Sequence, residues 1–427
     1  MSIETLPATT APEAITPMRR LVPAILASTG GASGATLAPL QLLLTIHVVA
    51  IAGTDAAIMF GFVTGAGALT AIIANPLAGR LSDRTTARLG RRRTWILGSA
   101  LVGSLVMLAV MFTTEIWQVA LVWAVVQAAF TVQVAITSAL LADQVPPDRR
   151  GGVSGLMGLG ITILPLVVLA VIGAVGSGPH QWFIAGGVGL VGGVVAVLLI
   201  RERRHVPVDR PARMSVRELL SAYWVSPVRH PAFGWAFLTR FLIYCSFATG
   251  AFTTFLLLDK FGLTTDELAP YVVGIAGVGI LGIAVASVAS GFISDRIQRQ
   301  KPFVLVGGML SAVGLVLTVF SPTIELLYLS FGLSAIGAGV VYAVDNALCV
   351  RMLPSSEDVA KDFGIINLAS GLPASLVPFL APALLALGGF PALYLTLAAF
   401  GVLGALSVVR LPEMGKEGDP RWAQINR

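Results

Sequence analysis

Residues 79–93 read Gly-Arg-Leu-Ser-Asp-Arg-Thr-Thr-Ala-Arg-Leu-Gly-Arg-Arg-Arg, a short polar segment. An apolar run lies on each side of it, at residues 55–78 and 95–113. About 20 largely apolar residues are enough for a helix to cross the hydrocarbon core of a bilayer. The segment is therefore predicted to connect two membrane-spanning helices.

The composition of the whole chain agrees with this. Of its 427 residues 56% are hydrophobic and only 12% are charged, and the mean hydropathy is +0.86. Soluble domains carry about 25% charged residues. A soluble protein with so few charges could not cover its surface in water, whereas lipid solvates the apolar outer face of a membrane protein. We therefore expect the lipid bilayer as surroundings.

The same criterion, an apolar run of about 20 residues, predicts twelve spans along the chain. Spans 1 to 12 are predicted at residues 21–50, 55–78, 95–113, 117–141, 152–175, 182–200, 233–258, 270–293, 303–320, 325–350, 363–387 and 390–409. The predicted fold class is an all-α membrane protein.

The distribution of charge predicts the orientation. With the N-terminus in the cytoplasm, nearly all of the 28 Lys and Arg residues fall on the cytoplasmic side, as the positive-inside rule requires. The sequence pI of about 9.7 then reflects membrane topology, and no nucleic-acid partner is predicted. We expect a multi-pass protein of the plasma (inner) membrane with both termini in the cytoplasm.

An internal repeat divides the chain into two halves. Residues 79–84 read Gly-Arg-Leu-Ser-Asp-Arg, and residues 291–296 read Gly-Phe-Ile-Ser-Asp-Arg. The repeat predicts two six-helix halves with the same orientation. The predicted organisation is a disordered cytoplasmic tail (1–18), an N-terminal half (19–200), a central cytoplasmic linker (201–231), a C-terminal half (232–410) and a cytoplasmic tail (411–427).

The segment at 79–93 resembles the signature loop of the major facilitator superfamily: Gly, three residues, Asp-Arg, then Gly-Arg-Arg. Its three inserted residues and its Gly-Arg-Arg-Arg ending are similar to the glycoside–pentoside–hexuronide and sucrose-type sugar symporters, and also to a pigment-assembly branch of photosynthetic bacteria. The superfamily resemblance implies two six-helix halves that rock about a central cavity.

The resemblance also implies a cytoplasmic gate. Asp83 can meet the positive N-terminal end of a helix, which the family implies is span 11. Arg88, Arg91 and Arg92 can pair with Asp143 and so latch the cytoplasmic side. The alternative is a basic cluster that only sets topology. The predicted gate residues are Gly79, Asp83, Arg84, Arg88, Gly90, Arg91, Arg92, Asp143, Asp295 and Arg296.

Two ionisable residues lie inside predicted spans, where a lone charge is costly. Arg240 in span 7 and Asp345 in span 10 fall at similar depth, which predicts an ion pair. This pair either binds substrate, couples an ion, or is a structural salt bridge. The further substrate or coupling candidates are Gln41, Trp123, Gln127 and Tyr244.

The sequence predicts a secondary transporter rather than an enzyme, because no nucleophile–base pair, metal-ligand spacing or phosphate loop is found. The expected partner is a small organic solute, sugar-like or a drug or metabolite that is exported, with a proton as the candidate coupling ion. No metal or cofactor is predicted, and a monomer is expected. The alternative from another class is a non-transporting assembly factor of the pigment-delivery type.

Overall fold

The computed structural model describes residues 16–146, 149–202, 230–297, 299–352 and 359–411. These residues form helices joined by short connections. The two predicted tails and the predicted linker lie almost wholly outside the described residues, so those parts of the domain organisation stay predictions.

The first six spans are helical almost throughout. Their helices are Met18–Gln41 with Leu43–Ala52 (span 1), Ala56–Asp83 (span 2), Arg91–Ala109 (span 3), Ile116–Gln144 (span 4), Arg150–Ala174 (span 5) and His180–Leu199 (span 6). Helix Ala56–Asp83 extends beyond the predicted span 2, because its last turn leaves the apolar run and includes Arg80 and Asp83.

The second half repeats this order. Its helices are Pro231–Phe247 with Thr253–Phe261 (span 7), Leu268–Ile297 (span 8), Lys301–Phe320 (span 9), Ile324–Arg351 (span 10), and Val359–Ser407. The last helix is interrupted at Gly388 and Gly389, whose backbone angles are not helical, and so supplies spans 11 and 12.

Within the described residues, nine helical stretches are long and apolar enough to cross a membrane. Two of them, Met18–Asp83 with 66 residues and Ile365–Arg410 with 46, are too long for one crossing of about 30 Å at about 1.5 Å per residue. Each holds two spans, and span 7 consists of two shorter helices. The observed helices are therefore consistent with twelve crossings.

The first span of each half is broken at a corresponding place. Span 1 leaves helical geometry at Leu42, three residues after Pro39, and span 7 is interrupted between Phe247 and Thr253. A broken helix frees backbone groups that need new partners in a membrane. Here the Thr254 hydroxyl donates a hydrogen bond to the Gln41 carbonyl at 2.5 Å, so that the two breaks touch each other across the halves.

Two faces of the protein can be distinguished by their loops. The basic face carries the loops at 84–90 and 299–300, and the opposite face carries the loops at 113–115, 175–179 and 262–267.

The two halves are packed closely toward the opposite face. A β-carbon at Gly61 of span 2 would lie 2.6 Å from Cγ of Pro382 in span 11, so only glycine fits there. In span 5, a β-carbon at Gly173 would lie 3.0 Å from that of Ala269 in span 8. The Ser177 hydroxyl adds a hydrogen bond of 3.0 Å to the Asp266 carboxylate.

Toward the basic face the same spans are uncovered. A β-carbon added at Gly79 of span 2, or at Gly152 or Gly155 of span 5, would meet no atom of the described residues within 4 Å. The inter-half contacts are thus concentrated at one face, which indicates a structure closed at the opposite face and open at the basic face.

Candidate functional site

Four charged side chains form a network at the basic face, all within the first half. Arg92 is 4% exposed; its Nη2 lies 2.8 Å from Asp83 Oδ1 and its Nε 2.9 Å from Asp143 Oδ2. Arg91 bridges the same carboxylates, with 2.9 Å to Asp143 and 3.5 Å to Asp83. The network therefore ties together the ends of spans 2, 3 and 4.

Glu202, just after span 6, completes this network and was missed in the sequence analysis. Its carboxylate accepts hydrogen bonds from the backbone N–H groups of Arg92, at 3.1 and 3.0 Å, and of Arg93, at 3.1 Å. These N–H groups belong to the first turn of span 3, where free donors and the helix dipole favour an anion. The available signal was that Glu202 is the lone acid among Arg201, Arg203 and Arg204.

Gly90 is the residue that lets Glu202 approach. Its φ is +102°, and a β-carbon there would lie within 3 Å of the Glu202 carboxylate and Cβ. Both the backbone conformation and the contact therefore require glycine.

The other predicted gate residues lie apart from this network. Arg84 and Arg88 are exposed and form no ion pair with the part of the chain that is described, so Arg88 does not take the predicted place beside Asp143. Asp83, a member of the network, pairs within its own half, and a β-carbon added at Gly79 would meet no atom of the described residues within 4 Å. Asp295 and Arg296 are exposed at the basic end of span 8.

Inside the second half, the structure brings Arg240 and Asp345 together. Arg240 Nε lies 3.1 Å from Asp345 Oδ2, and both side chains are buried. The Tyr244 hydroxyl donates a hydrogen bond of 3.0 Å to the same oxygen, and the Cys349 thiol lies 3.7 Å from the other one. The carboxylate therefore has a partner on each oxygen, as a charge buried in a membrane requires.

An aromatic cluster adjoins this ion pair. The ring centroids of Tyr244, Phe247 and Tyr342 lie 5.3 to 5.6 Å from one another, and the Arg240 guanidinium lies 5.5 Å from the Tyr244 ring. Tyr342 is 39% exposed and was missed in the sequence analysis. Its position three residues before Asp345 puts it on the same helix face, which was the available signal.

A polar cleft of about 410 Å³ lies in the first half, between spans 1, 2 and 4. It is lined by Ala32, Thr36, Asn75, Gln127, Phe130, Thr131, Val134, Ala135 and Ser138. Thr36 and Ser138 donate their hydroxyl protons to carbonyls of their own helices, at 3.0 Å and 2.9 Å. Gln127 Oε1 is buried, and none of the described residues donates a hydrogen bond to it.

The remaining candidates lie outside the cleft. Trp123 is 1% exposed and packs against Gly67 of span 2, so its ring does not reach the cleft that Gln127 lines. The carbonyl of Gln41 is the acceptor at the break of span 1. Among the described residues, no three His, Cys, Asp or Glu side chains converge as metal ligands.

Fold and site together define a helical membrane transporter with polar and paired charged groups between its two faces. Residues 21–282 and 276–426 match the Major Facilitator Superfamily, and the chain belongs to this family.

Relatives and solved structures are similar to this chain at low identity. The multidrug resistance protein MdtG of Proteus mirabilis is 26% identical over 307 residues, which are 67% of this chain and 69% of that protein. MdtL of Shewanella oneidensis, also named a multidrug resistance protein, is 29% identical over 126 residues, 30% of this chain and 31% of that one.

Two crystal structures illustrate the shared fold. The nucleoside transporter NupG covers 92% of this chain and 99% of its own, with TM-score 0.71 and 15% identity. The D-xylose–proton symporter covers 92% and 98%, with TM-score 0.65 and 16% identity. At such identity the likeness concerns the fold alone.

Proposed function

We propose that this protein is a secondary active transporter that moves a small organic solute by alternating access between its two six-helix halves, residues 19–200 and 232–410. The observation that carries the proposal is the one-sided closure: Gly61 and Gly173 are covered by the other half, while Gly79 and Gly152 are open. A protein with one closed and one open face presents one of the two states that alternating access needs.

The basic face is assigned to the cytoplasm, because positively charged loops remain on that side. The structure then corresponds to the inward-facing state, in a plasma (inner) membrane protein with both termini in the cytoplasm. Closing the cytoplasmic side would bring Asp83 toward span 11 and Asp295 toward the start of span 5, which are the predicted gate contacts.

Asp345 is the proposed coupling residue, with a proton as the coupling ion. Protonation would remove the charge that holds Arg240 at 3.1 Å and Tyr244 at 3.0 Å, so both would be released. Spans 2 and 4 contain no acid away from their ends, which disfavours the sodium coupling known in melibiose-type relatives of the sugar-symporter branch. A structural salt bridge is the alternative role.

Two substrate types are candidates, one from the named relatives and one from the loop resemblance in the sequence. MdtG and MdtL are named multidrug resistance proteins, which favours export of a drug or metabolite. The loop at 79–93 resembles sugar symporters, which favours a sugar-like solute.

Counterflow in proteoliposomes tests the transport function. The protein is reconstituted and D-xylose, uridine and ethidium are each assayed, first in exchange and then under an imposed pH gradient. We expect exchange of at least one probe, and accumulation driven by the pH gradient that is lost in Asp345→Asn. Asp55→Asn, an exposed acid on the opposite face, is the matched control and should behave as the unaltered protein.

Absence of exchange with every probe would count against transport and favour the assembly-factor alternative. Accumulation that persists in Asp345→Asn would leave transport in place and assign the ion pair a structural role.

A further inference from the structure

We infer that the cleft in the first half binds a solute without net charge that donates hydrogen bonds, with the side-chain amide of Gln127 as a main hydrogen-bonding partner. This inference rests on the proposed transport function and names the substrate class for it. It favours a hydroxylated or N–H-bearing neutral molecule over a cationic drug.

The charge of the lining is the first argument. Among the described residues that line the cleft, none is ionisable. The buried charges of the second half, Arg240 and Asp345, already face each other. A charged solute would give up its hydration in this cleft without gaining an opposite charge, whereas a neutral solute would lose much less.

The hydrogen-bonding pattern is the second argument. The hydroxyl protons of Thr36 and Ser138 are directed at carbonyls of their own helices, so these oxygens offer lone pairs to a ligand. Gln127 Oε1 is buried and has no donor among the described residues, and rotation of the amide would turn this oxygen toward the cleft as a further acceptor. A ligand that donates several hydrogen bonds would match these acceptors.

The Oε1 atoms of Gln127, Gln133 and Gln144 are all buried without a donor among the described residues, so the three glutamines differ in their amide nitrogens and in their access to the cleft. The side-chain amides of Gln133 and Gln144 donate to the carbonyls of Ser28, at 3.1 Å, and Arg201, at 3.3 Å. Gln127 forms no hydrogen bond with the described part of the chain, and of the three it is the one that lines the cleft. Buried polar groups in native proteins are nearly always paired, so an unpaired one beside a cavity indicates a missing ligand.

The size of the cleft fits the same class. Its volume of about 410 Å³ lies in the lower part of the range for small-molecule sites. A monosaccharide or a nucleoside fits this space, and Phe130 supplies an apolar wall beside the polar groups.

Melting temperatures of the empty protein in detergent give the first test. Gln127→Leu removes an amide that forms no hydrogen bond with the described residues, so its melting temperature should equal or exceed that of the unaltered protein. Gln133→Leu, six residues further along span 4, loses the bond to Ser28 and should melt several degrees lower. A comparable fall for Gln127→Leu would show that Gln127 is a structural residue and would overturn the inference.

Ligand-induced shifts of the melting temperature give the second test. D-xylose, uridine, the cation ethidium and the anion benzoate are compared on the unaltered protein and on Gln127→Leu. We expect a rise of several degrees with at least one neutral probe, reduced at least twofold in Gln127→Leu, and none with the ions. Stabilisation by ethidium or benzoate, or no shift with either neutral probe, would overturn the inference.

The melting-temperature and counterflow assays together distinguish failure of the binding inference from failure of the transport proposal. Neutral-probe shifts that depend on Gln127, without counterflow of the same probe, would support the binding site and count against transport. Counterflow of ethidium alone would support transport and overturn the proposed substrate class.

Discussion

Gly90 holds the most constrained position in the basic loop. Its φ of +102° and the adjacent Glu202 carboxylate exclude any side chain. Gly90 combines φ of +102° with ψ of 159°, a conformation essentially restricted to glycine, so we expect Gly90→Ala to cost about 1–3 kcal/mol through its backbone alone. The cost is larger because Glu202 must leave the first turn of span 3. The measurement is the melting temperature in detergent.

Gly79 offers a matched control in the same segment. It lies inside a helix and has no atom within 4 Å of an added β-carbon. Gly79→Ala should leave stability unchanged or raise it by up to about 1 kcal/mol, since alanine favours the helix. Equal melting temperatures for both variants would contradict the structural role assigned to Gly90.

The Arg240–Asp345 pair predicts a non-additive mutant cycle. Each single alanine variant leaves the partner's charge buried and uncompensated, which costs about 3–5 kcal/mol. The double variant Arg240→Ala/Asp345→Ala should therefore be more stable than either single variant. Melting temperatures and expression levels of the four proteins check this.

Uptake and counterflow of the same four proteins separate the possible roles. If the pair is structural, the double variant recovers concentrative uptake. If it couples protons, the double variant keeps exchange but does not accumulate solute. A double variant damaged by the sum of both single effects would contradict an interaction across the 3.1 Å contact.

The contact of spans 2 and 11 predicts how the conformational equilibrium can be shifted. A side chain at Gly61 collides with Pro382, so Gly61→Leu should open the opposite face. Cysteines at positions 177 and 266, whose native side chains are 3.0 Å apart across the halves, report closure of that face by cross-linking. Cross-linking should slow severalfold in Gly61→Leu. It should be unchanged in Gly187→Leu, where an added β-carbon meets nothing within 4 Å.

The predicted latch contact of Asp83 should change the rate of cross-linking between positions 177 and 266 in the opposite direction. Asp83→Asn weakens the ion pairs with Arg91 and Arg92 in both states, because these pairs lie within one half. If Asp83 also meets the N-terminus of span 11 when the basic face closes, that state alone loses a further contribution of about 0.3–2 kcal/mol. The present conformation would gain population, cross-linking of positions 177 and 266 would become faster, and transport would slow. The protein should stay folded, because Arg92 keeps its contact with Asp143. Normal transport with unchanged cross-linking would argue against the latch.

Hydropathy and repeats were sufficient to predict the helical membrane fold, and particular residues show where they stop being informative. Hydropathy locates the apolar part of a helix but not its end, so span 2 was predicted to stop at residue 78 while its helix continues to Asp83. Helical spacing placed Trp123 on one face with Gln127, and both contact Gly67 of span 2, but spacing could not show that Trp123 is buried there and only Gln127 lines the cleft. Depth along the spans was enough to bring Arg240 and Asp345 together. Glu202 needed the folded structure, because its partners lie more than 100 positions away.

The topology of the chain gives a prediction that needs no substrate. Because the basic loops are assigned to the cytoplasm, reporter fusions at both termini and within residues 203–229 should all give cytoplasmic signals. Alkaline phosphatase and green fluorescent protein fusions, active on opposite sides of the membrane, provide the measurement. A periplasmic signal at any of the three sites would contradict twelve crossings in this orientation.

The meeting point of the two broken spans lies off centre along the membrane normal. From Gln41 the helix runs 24 residues to Met18 at the basic face, about 35 Å, whereas the 10 residues from Leu43 to Ala52 cover about 15 Å toward the other face. If the halves rotate about the Thr254–Gln41 contact, the basic end of each half lies farther from this pivot than the opposite end. The basic ends then travel about twice as far as the opposite ends for the same rotation, so a narrow opening on one side accompanies a wide one on the other.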